Sequence, residues 1–254
     1  MEKANVNGIQ IAYERKGTGT PLVLVHGYPL DHSIWNEVVA LLENDFDIIT
    51  PDLRGFGGSD VVESQYKISD MAADIAGLLD HVGIKKATLV GHSMGGYVSL
   101  AFANAYPERL LGLGLVASQA LADAPENKIG RYNAAEEILK TGVEPVAEAF
   151  SPKLTPDERV QASVRKLIAS QRPAGLAGAL KAMAERDDSS PILSGFEFPV
   201  VVVHGDIDGL IPAQRAQEIK AAIPQAELTE LPHIGHMPMM EDPQSTATAL
   251  RKLR

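Results

Sequence analysis

The chain has 254 residues, of which 45% are apolar, 22% charged and 5% aromatic, with 22 Gly, 16 Pro and no Cys. That composition excludes a disordered acidic chain, a membrane bundle and a collagen-like repeat, and the length suits a single α/β domain. A net charge of −10 opposes binding to nucleic acid or to an anionic bilayer, and the absence of Cys removes disulfides, thiolate metal sites and a Cys nucleophile together.

The opening segment, MEKANVNGIQ, carries charges and no apolar stretch of the kind a secretory leader has. No run of about 18 apolar residues is present either. The expectation is a cytoplasmic protein without a membrane span. Gly8 to Tyr13 alternates polar and apolar residues, the pattern of a half-exposed antiparallel strand. Short runs without alternation follow at Pro21–Val25, Asp47–Thr50, Ala87–Val90, Leu113–Val116 and Pro199–Val203. Such runs predict strands buried on both faces, as in a parallel sheet. Ala226–Leu231 alternates again and predicts a less covered last strand.

Helical spacing separates the strands. It covers Ser33–Leu42 after Asp31, Ser69–His81 with Ser69 as N-cap, Met94–Tyr106 before Pro107, Pro212–Ile223 and Pro243–Leu253. The alternation of strand and helix predicts a doubly wound α/β sheet. From about Gln119 to Pro191 the rhythm breaks, with helical patterns at Asn133–Thr141, Glu144–Phe150, Pro156–Gln171 and Ala174–Arg186 and no strand. We therefore expect a core of residues 1–118 and 192–254, interrupted by a helical cap at 119–191 that does not fold independently. An insertion at the C-terminal edge of an open sheet lies where ligands bind.

The strongest chemical signal is Gly91-His92-Ser93-Met94-Gly95-Gly96, between a buried strand and a helix of small residues. In that setting G-x-S-x-G is a nucleophile elbow: glycines let strand and helix approach, and the turn lifts the serine hydroxyl towards the helix N-terminus. A serine hydroxyl needs a base within hydrogen-bond reach. Of seven histidines, His236 is preferred, in a loop after the final strand, with His233 as its rival. His26 and His204, each before a glycine at a strand end, are read as shaping their loops. His92 is expected to point away from the serine, and His32 and His81 to lie on helix surfaces. The base needs an orienting carboxylate, and the turn His204-Gly205-Asp206-Ile207-Asp208 offers two. Asp208 is preferred; Asp206 is expected to tie its own turn together. The order is then Ser93, Asp208, His236, one of three known orders for such a triad. Two N–H donors are needed for the developing oxyanion, and the backbone amides of Tyr28, in the loop His26-Gly27-Tyr28-Pro29, and Met94 are the candidates.

With these residues, with Asp52-Leu53-Arg54-Gly55-Phe56-Gly57-Gly58-Ser59, and with Gly235-His236 near the end, the chain resembles the α/β-hydrolase superfamily over nearly its whole length. Within it the chain is similar to small, capped bacterial serine esterases, enol-lactonases and perhydrolase-like enzymes. The resemblance implies a mostly parallel eight-stranded sheet with a helical cap before the seventh strand, and a structural role for Asp52 and Arg54. Similar haloalkane dehalogenases and epoxide hydrolases carry aspartate where Ser93 stands, which argues against both activities. The expected function is cleavage of carboxylic esters with short to medium acyl chains through an acyl-enzyme, without metal or organic cofactor, on a small-molecule ester or lactone. Lactonase or enol-lactonase action and perhydrolysis use the same triad; a ligand-binding receptor on a hydrolase scaffold is the reading of another class. Tyr28, Trp35, Met94, Leu121 and Met183 are candidates for an apolar acyl pocket, Trp35 and Met183 being read first as core. No basic cluster is evident in the cap to favour highly charged substrates, and no feature specifies an oligomeric state.

Overall fold

A computed structural model describes residues 1–254. The chain opens on a hairpin that the alternation from Gly8 only half reveals: β1 (Glu2–Val6) pairs antiparallel with β2 (Ile9–Gly17). Asn7 and Gly8 between them both take positive φ, 51° and 80°, the backbone a two-residue hairpin turn requires. β3 (Thr20–Val25) then leads through a short 3₁₀ turn, capped by the Asp31 carboxylate accepting from the Ser33 N–H at 2.9 Å, into α1 (Asn36–Leu42).

β4 (Phe46–Pro51), α2 (Ile68–His81), β5 (Ala87–His92), α3 (Met94–Ala105) and β6 (Leu110–Val116) continue the alternation. The N-cap of α2 is Lys67 rather than Ser69: the Asp70 carboxylate accepts from the Lys67 N–H at 2.7 Å, which starts the helix two residues earlier. After β6 come four helices, α4 (Pro125–Thr141), α5 (Glu144–Leu154), α6 (Glu158–Ala169) and α7 (Pro173–Ala184). α4 begins well before Asn133 because Pro125 sets its first turn, while its apolar stripe buries only Ala135 and Ile138. The sheet resumes with β7 (Val200–Gly205), α8 (Gln214–Ala222) and β8 (Glu227–Leu231), and the chain closes with α9 (Pro238–Glu241) and α10 (Pro243–Leu250).

The eight strands lie in the order β1-β2-β4-β3-β5-β6-β7-β8; β1–β2 and β2–β4 are antiparallel and the other five pairings parallel. The continuous apolar runs follow from burial on both sides. Val23, Val25 and Leu89 belong to the core under α2, α3 and α8, whereas Leu22, Leu24 and Val90 belong to the one under α1 and α10. No helix is long and apolar enough to cross a membrane.

In the helices between β6 and β7, α4 packs on α7 and α5 on α6. They are tied to the loop after β4: the Gly57 N–H donates to Gln171 Oε1 at 3.0 Å, and Arg172 donates to the Ser59 carbonyl at 2.6 Å. Gly55 meets Gly175 of α7 backbone to backbone, so a methyl group on either would collide with the other. That loop is itself fastened from below. Arg54 makes a two-pronged pair with buried Asp74 of α2 at 2.6 and 2.7 Å, and Asp52 accepts from the Gly58 N–H at 2.7 Å.

Candidate active site

Ser93 sits between β5 and α3 with φ 49° and ψ −114°, a conformation a side chain rarely adopts. It is held there because its N–H donates to the Val116 carbonyl at 2.9 Å and its own carbonyl accepts from Gly96 N–H and Ser118 Oγ, both at 2.9 Å. A methyl group on Gly91 would overlap the Gly95 backbone, and one on Gly95 would strike the carbonyls of Val25 and His26. The glycines are therefore demanded by the crossing of strand and helix.

β7 and β8 end beside one another and deliver the acid and the histidine. His236 is buried, and its Nδ1 lies 2.7 Å from Asp208 Oδ2. The other oxygen, Asp208 Oδ1, accepts from the N–H groups of Leu210 and Ile211 at 2.8 and 3.0 Å. Burial alone would raise the Asp208 pKa, but the hydrogen bond and charge of His236 outweigh it and hold the carboxyl below its ordinary value. Asp206 is exposed and accepts from the His233 N–H at 2.6 Å. His233 is exposed as well, with φ 62°, so neither reaches the cavity over Ser93.

The remaining histidines divide cleanly. His26 Nδ1 donates to the Gly27 carbonyl at 2.9 Å and Nε2 accepts from the Leu53 N–H at 2.9 Å. His204 Nε2 donates to the Ile211 carbonyl at 2.8 Å, and His92 Nε2 to the His236 carbonyl at 2.8 Å. Burial pushes all three below the usual imidazole pKa. They are neutral props. His81 is exposed. His32 differs from expectation: it is turned inward, with Nδ1 2.7 Å from Asp52 Oδ1 and a side chain 13% exposed. Burial disfavours its charged form, but Asp52 outweighs burial and raises the pKa. Asp31, His32 and Asp52 have the spacing of a metal site, yet their donors are engaged within the chain, Asp52 by His32 and Gly58, Asp31 by Ser33.

Ser93 and His236 open on a common cavity of about 600 Å³, walled by α4, α5 and α7. The backbone N–H groups of Tyr28 and Met94 donate to no protein acceptor. Of the five side chains expected to line an acyl pocket, Tyr28 and Met183 do; Trp35 and Met94 are fully buried in the core and Leu121 stands outside the lining. The sequence reading missed Phe150, Leu180 and Leu210, and a charged wall of Asp123, Arg131 and Lys153. Asp123 is paired with Arg131 and, at 2.8 Å, with Arg186, whose guanidinium lies 4.2 Å from the Tyr97 ring centre. These positions carry no local motif; they come together only where α4, α5, α7 and the loop after β7 meet in the fold.

A positive-φ serine in the turn after a central parallel strand, on a cavity it shares with a histidine bonded to a carboxylate, is an arrangement that fits an α/β-hydrolase. Residues 20–243 match the model of the alpha/beta hydrolase fold family, and the chain belongs to that family. It is similar in structure to a thermophilic esterase from Thermogutta terrifontis, described with malate bound, with TM-score 0.95 and 38% identity, covering 99% of this chain and 96% of that one. It is also similar to the enol-lactonase from Burkholderia xenovorans LB400, with TM-score 0.91 and 25% identity over 99% of each chain. A curated relative, the dihydrolipoyllysine-residue acetyltransferase component of the acetoin cleaving system of Pseudomonas putida, is 32% identical over 251 residues, 94% of this chain; the chain spans 65% of that relative's length.

Proposed function

We propose that the protein is a serine hydrolase that cleaves carboxylic esters of short to medium acyl chain through an acyl-enzyme. The observation that carries this reading is the positive-φ Ser93 sharing one cavity with His236, itself bonded to Asp208. In the proposed reaction His236 Nε2 takes the proton from Ser93 Oγ as the oxygen attacks the ester carbonyl carbon. Asp208 fixes the proton of the imidazole on Nδ1 and stabilises its charged form. The Tyr28 and Met94 amides, free of other acceptors, hold the oxyanion; one such donor is worth about 2.7–4 kcal/mol in the barrier. Collapse of the intermediate breaks the carbon–oxygen bond to the alcohol, which leaves with the proton from His236. Water then attacks the acyl-Ser93 carbonyl, gives its proton to His236 and releases the carboxylic acid as Ser93 Oγ is reprotonated. The helices 119–191 act in this scheme as a cap over the cavity.

The test is Ser93→Ala combined with active-site labelling. Wild type is expected to take up a fluorophosphonate at the peptide bearing Ser93 and to hydrolyse p-nitrophenyl butyrate. Ser93→Ala is expected to lose both while keeping its circular dichroism and melting temperature; retained turnover sinks the assignment. The structural similarity to an enol-lactonase supports a second reading, the same triad opening a cyclic ester, which a lactone assayed beside the linear ester distinguishes.

A further inference from the structure

The geometry points to the groove between α4 and α5 as the acyl subsite of this hydrolase, with Ala134 as the residue that sets how long an acyl chain enters; the inference rests on the ester-hydrolase reading. A second cavity of about 270 Å³ runs between these helices. It adjoins the cavity over Ser93: Tyr28, Ala134, Phe150, Lys153 and Leu180 line both. Its far wall is made of Ile138 and Val146, the first fully and the second half buried, with the Phe150 and Tyr28 rings edge to face 6.1 Å apart at its mouth. Apart from Glu137, Thr141 and Lys153 its lining is apolar, so it favours an aliphatic chain.

The side of the serine on which it opens decides which arm of the ester it takes. The leaving oxygen must sit beside the imidazole to receive its proton. His236, Leu210 and Ile211 line the main cavity and none of them lines the groove. The groove instead borders Tyr28, whose amide is the proposed oxyanion donor. The arm lying there is the acyl chain, and the alcohol departs on the His236 side. Ala134 stands at the junction on the exposed face of α4, where a larger side chain has no core neighbour to displace and narrows the passage directly.

The experiment measures kcat/KM for p-nitrophenyl esters from acetate to octanoate, and for acetates of methyl to hexyl alcohol, in wild type, Ala134→Leu and Ala134→Phe. Each methylene entering the groove raises wild-type kcat/KM by up to about fourfold. We expect the hexanoate-to-acetate ratio to fall by about tenfold in Ala134→Phe and by less in Ala134→Leu, with the slope of the alcohol series unchanged. Equal losses on acetate and hexanoate, an unchanged acyl profile, or truncation of the alcohol series in its place overturns the assignment while leaving the triad standing. A wild type without ester turnover refutes the functional reading and this one with it.

Discussion

Replacing Asp208 by Asn separates the proposed triad from a merely well-packed turn. Asp208 Oδ1 accepts from two backbone N–H groups, those of Leu210 and Ile211, while Oδ2 faces His236 Nδ1 at 2.7 Å. An asparagine there keeps its carbonyl oxygen on the two amides, since turning it round sets its own NH₂ against them. Its NH₂ therefore faces the imidazole, and Nδ1 must become an acceptor. The proton then moves to Nε2, the nitrogen that should take one from Ser93. Restoring the working tautomer sets two donors face to face, a cost of about 1–3 kcal/mol, and a charge-assisted bond worth about 1.5–3 kcal/mol is gone as well. Together these raise the barrier by about 4 kcal/mol, a loss of about a thousandfold in kcat. KM for p-nitrophenyl butyrate should change little, because Asp208 is absent from the cavity wall. The control is Asp206→Asn, on an exposed carboxylate that bonds the His233 N–H, expected within about twofold of wild type. If Asp208→Asn stays within about tenfold of wild type, or Asp206→Asn falls as far as it does, the assignment of the acid is refuted.

Two further outcomes test the scaffold. In Gly95→Ala the new methyl meets the His26 carbonyl oxygen at 2.6 Å as well as that of Val25, so stability should drop by about 1–3 kcal/mol, several degrees in a thermal melt at about 2–4 °C per kcal/mol; an unshifted melt means the elbow is looser than described. His32→Gln tests the inward-facing pair with Asp52. A raised His32 pKa contributes stability that is fully present below the unfolded-state value of about 6.5 and fades as pH rises through the folded value. The melting-temperature gap between wild type and His32→Gln should therefore be larger at pH 5.5 than at pH 8.5, and a gap that grows with pH contradicts the charge assignment.

Chemical signals that repeat at short range were legible in the sequence; those assembled across the fold were not. Runs such as Pro199–Val203 could be read as strands because both faces of the sheet are covered, and the order of the sheet's turns follows from the strand–helix alternation. β1 escaped notice because only Ala4 and Val6 of its five residues are buried, too few to register as a pattern. The proposed triad residues each follow a glycine, Gly91 and Gly205 at the ends of β5 and β7 and Gly235 in the loop after β8, so their neighbourhood made them candidates. His32 had no such marker. Its inward turn depends on Asp52, which is brought beside it only when β3 and β4 pair in parallel.

The charged wall of the cavity shows the same effect with a consequence for substrate choice. Arg131 and Arg186 lie on α4 and just past α7, so neither forms a basic run, yet both fold onto Asp123. Burial would favour a neutral Asp123, but the hydrogen bond from Arg131 and the charges of both arginines lower its pKa and keep it ionised. The two guanidiniums therefore meet one carboxylate that holds them in place, and Arg131 presents its remaining surface to the cavity. The main cavity thus carries a polar, fixed cluster, while the adjoining α4–α5 groove is lined mostly by apolar side chains. In the proposed reading, a substrate that suits both has an aliphatic acyl arm and a hydrogen-bonding remainder, because an ester apolar at both ends covers the free face of Arg131 without bonding it. Selectivity by the cavity then rests on what each wall refuses as much as on what it binds.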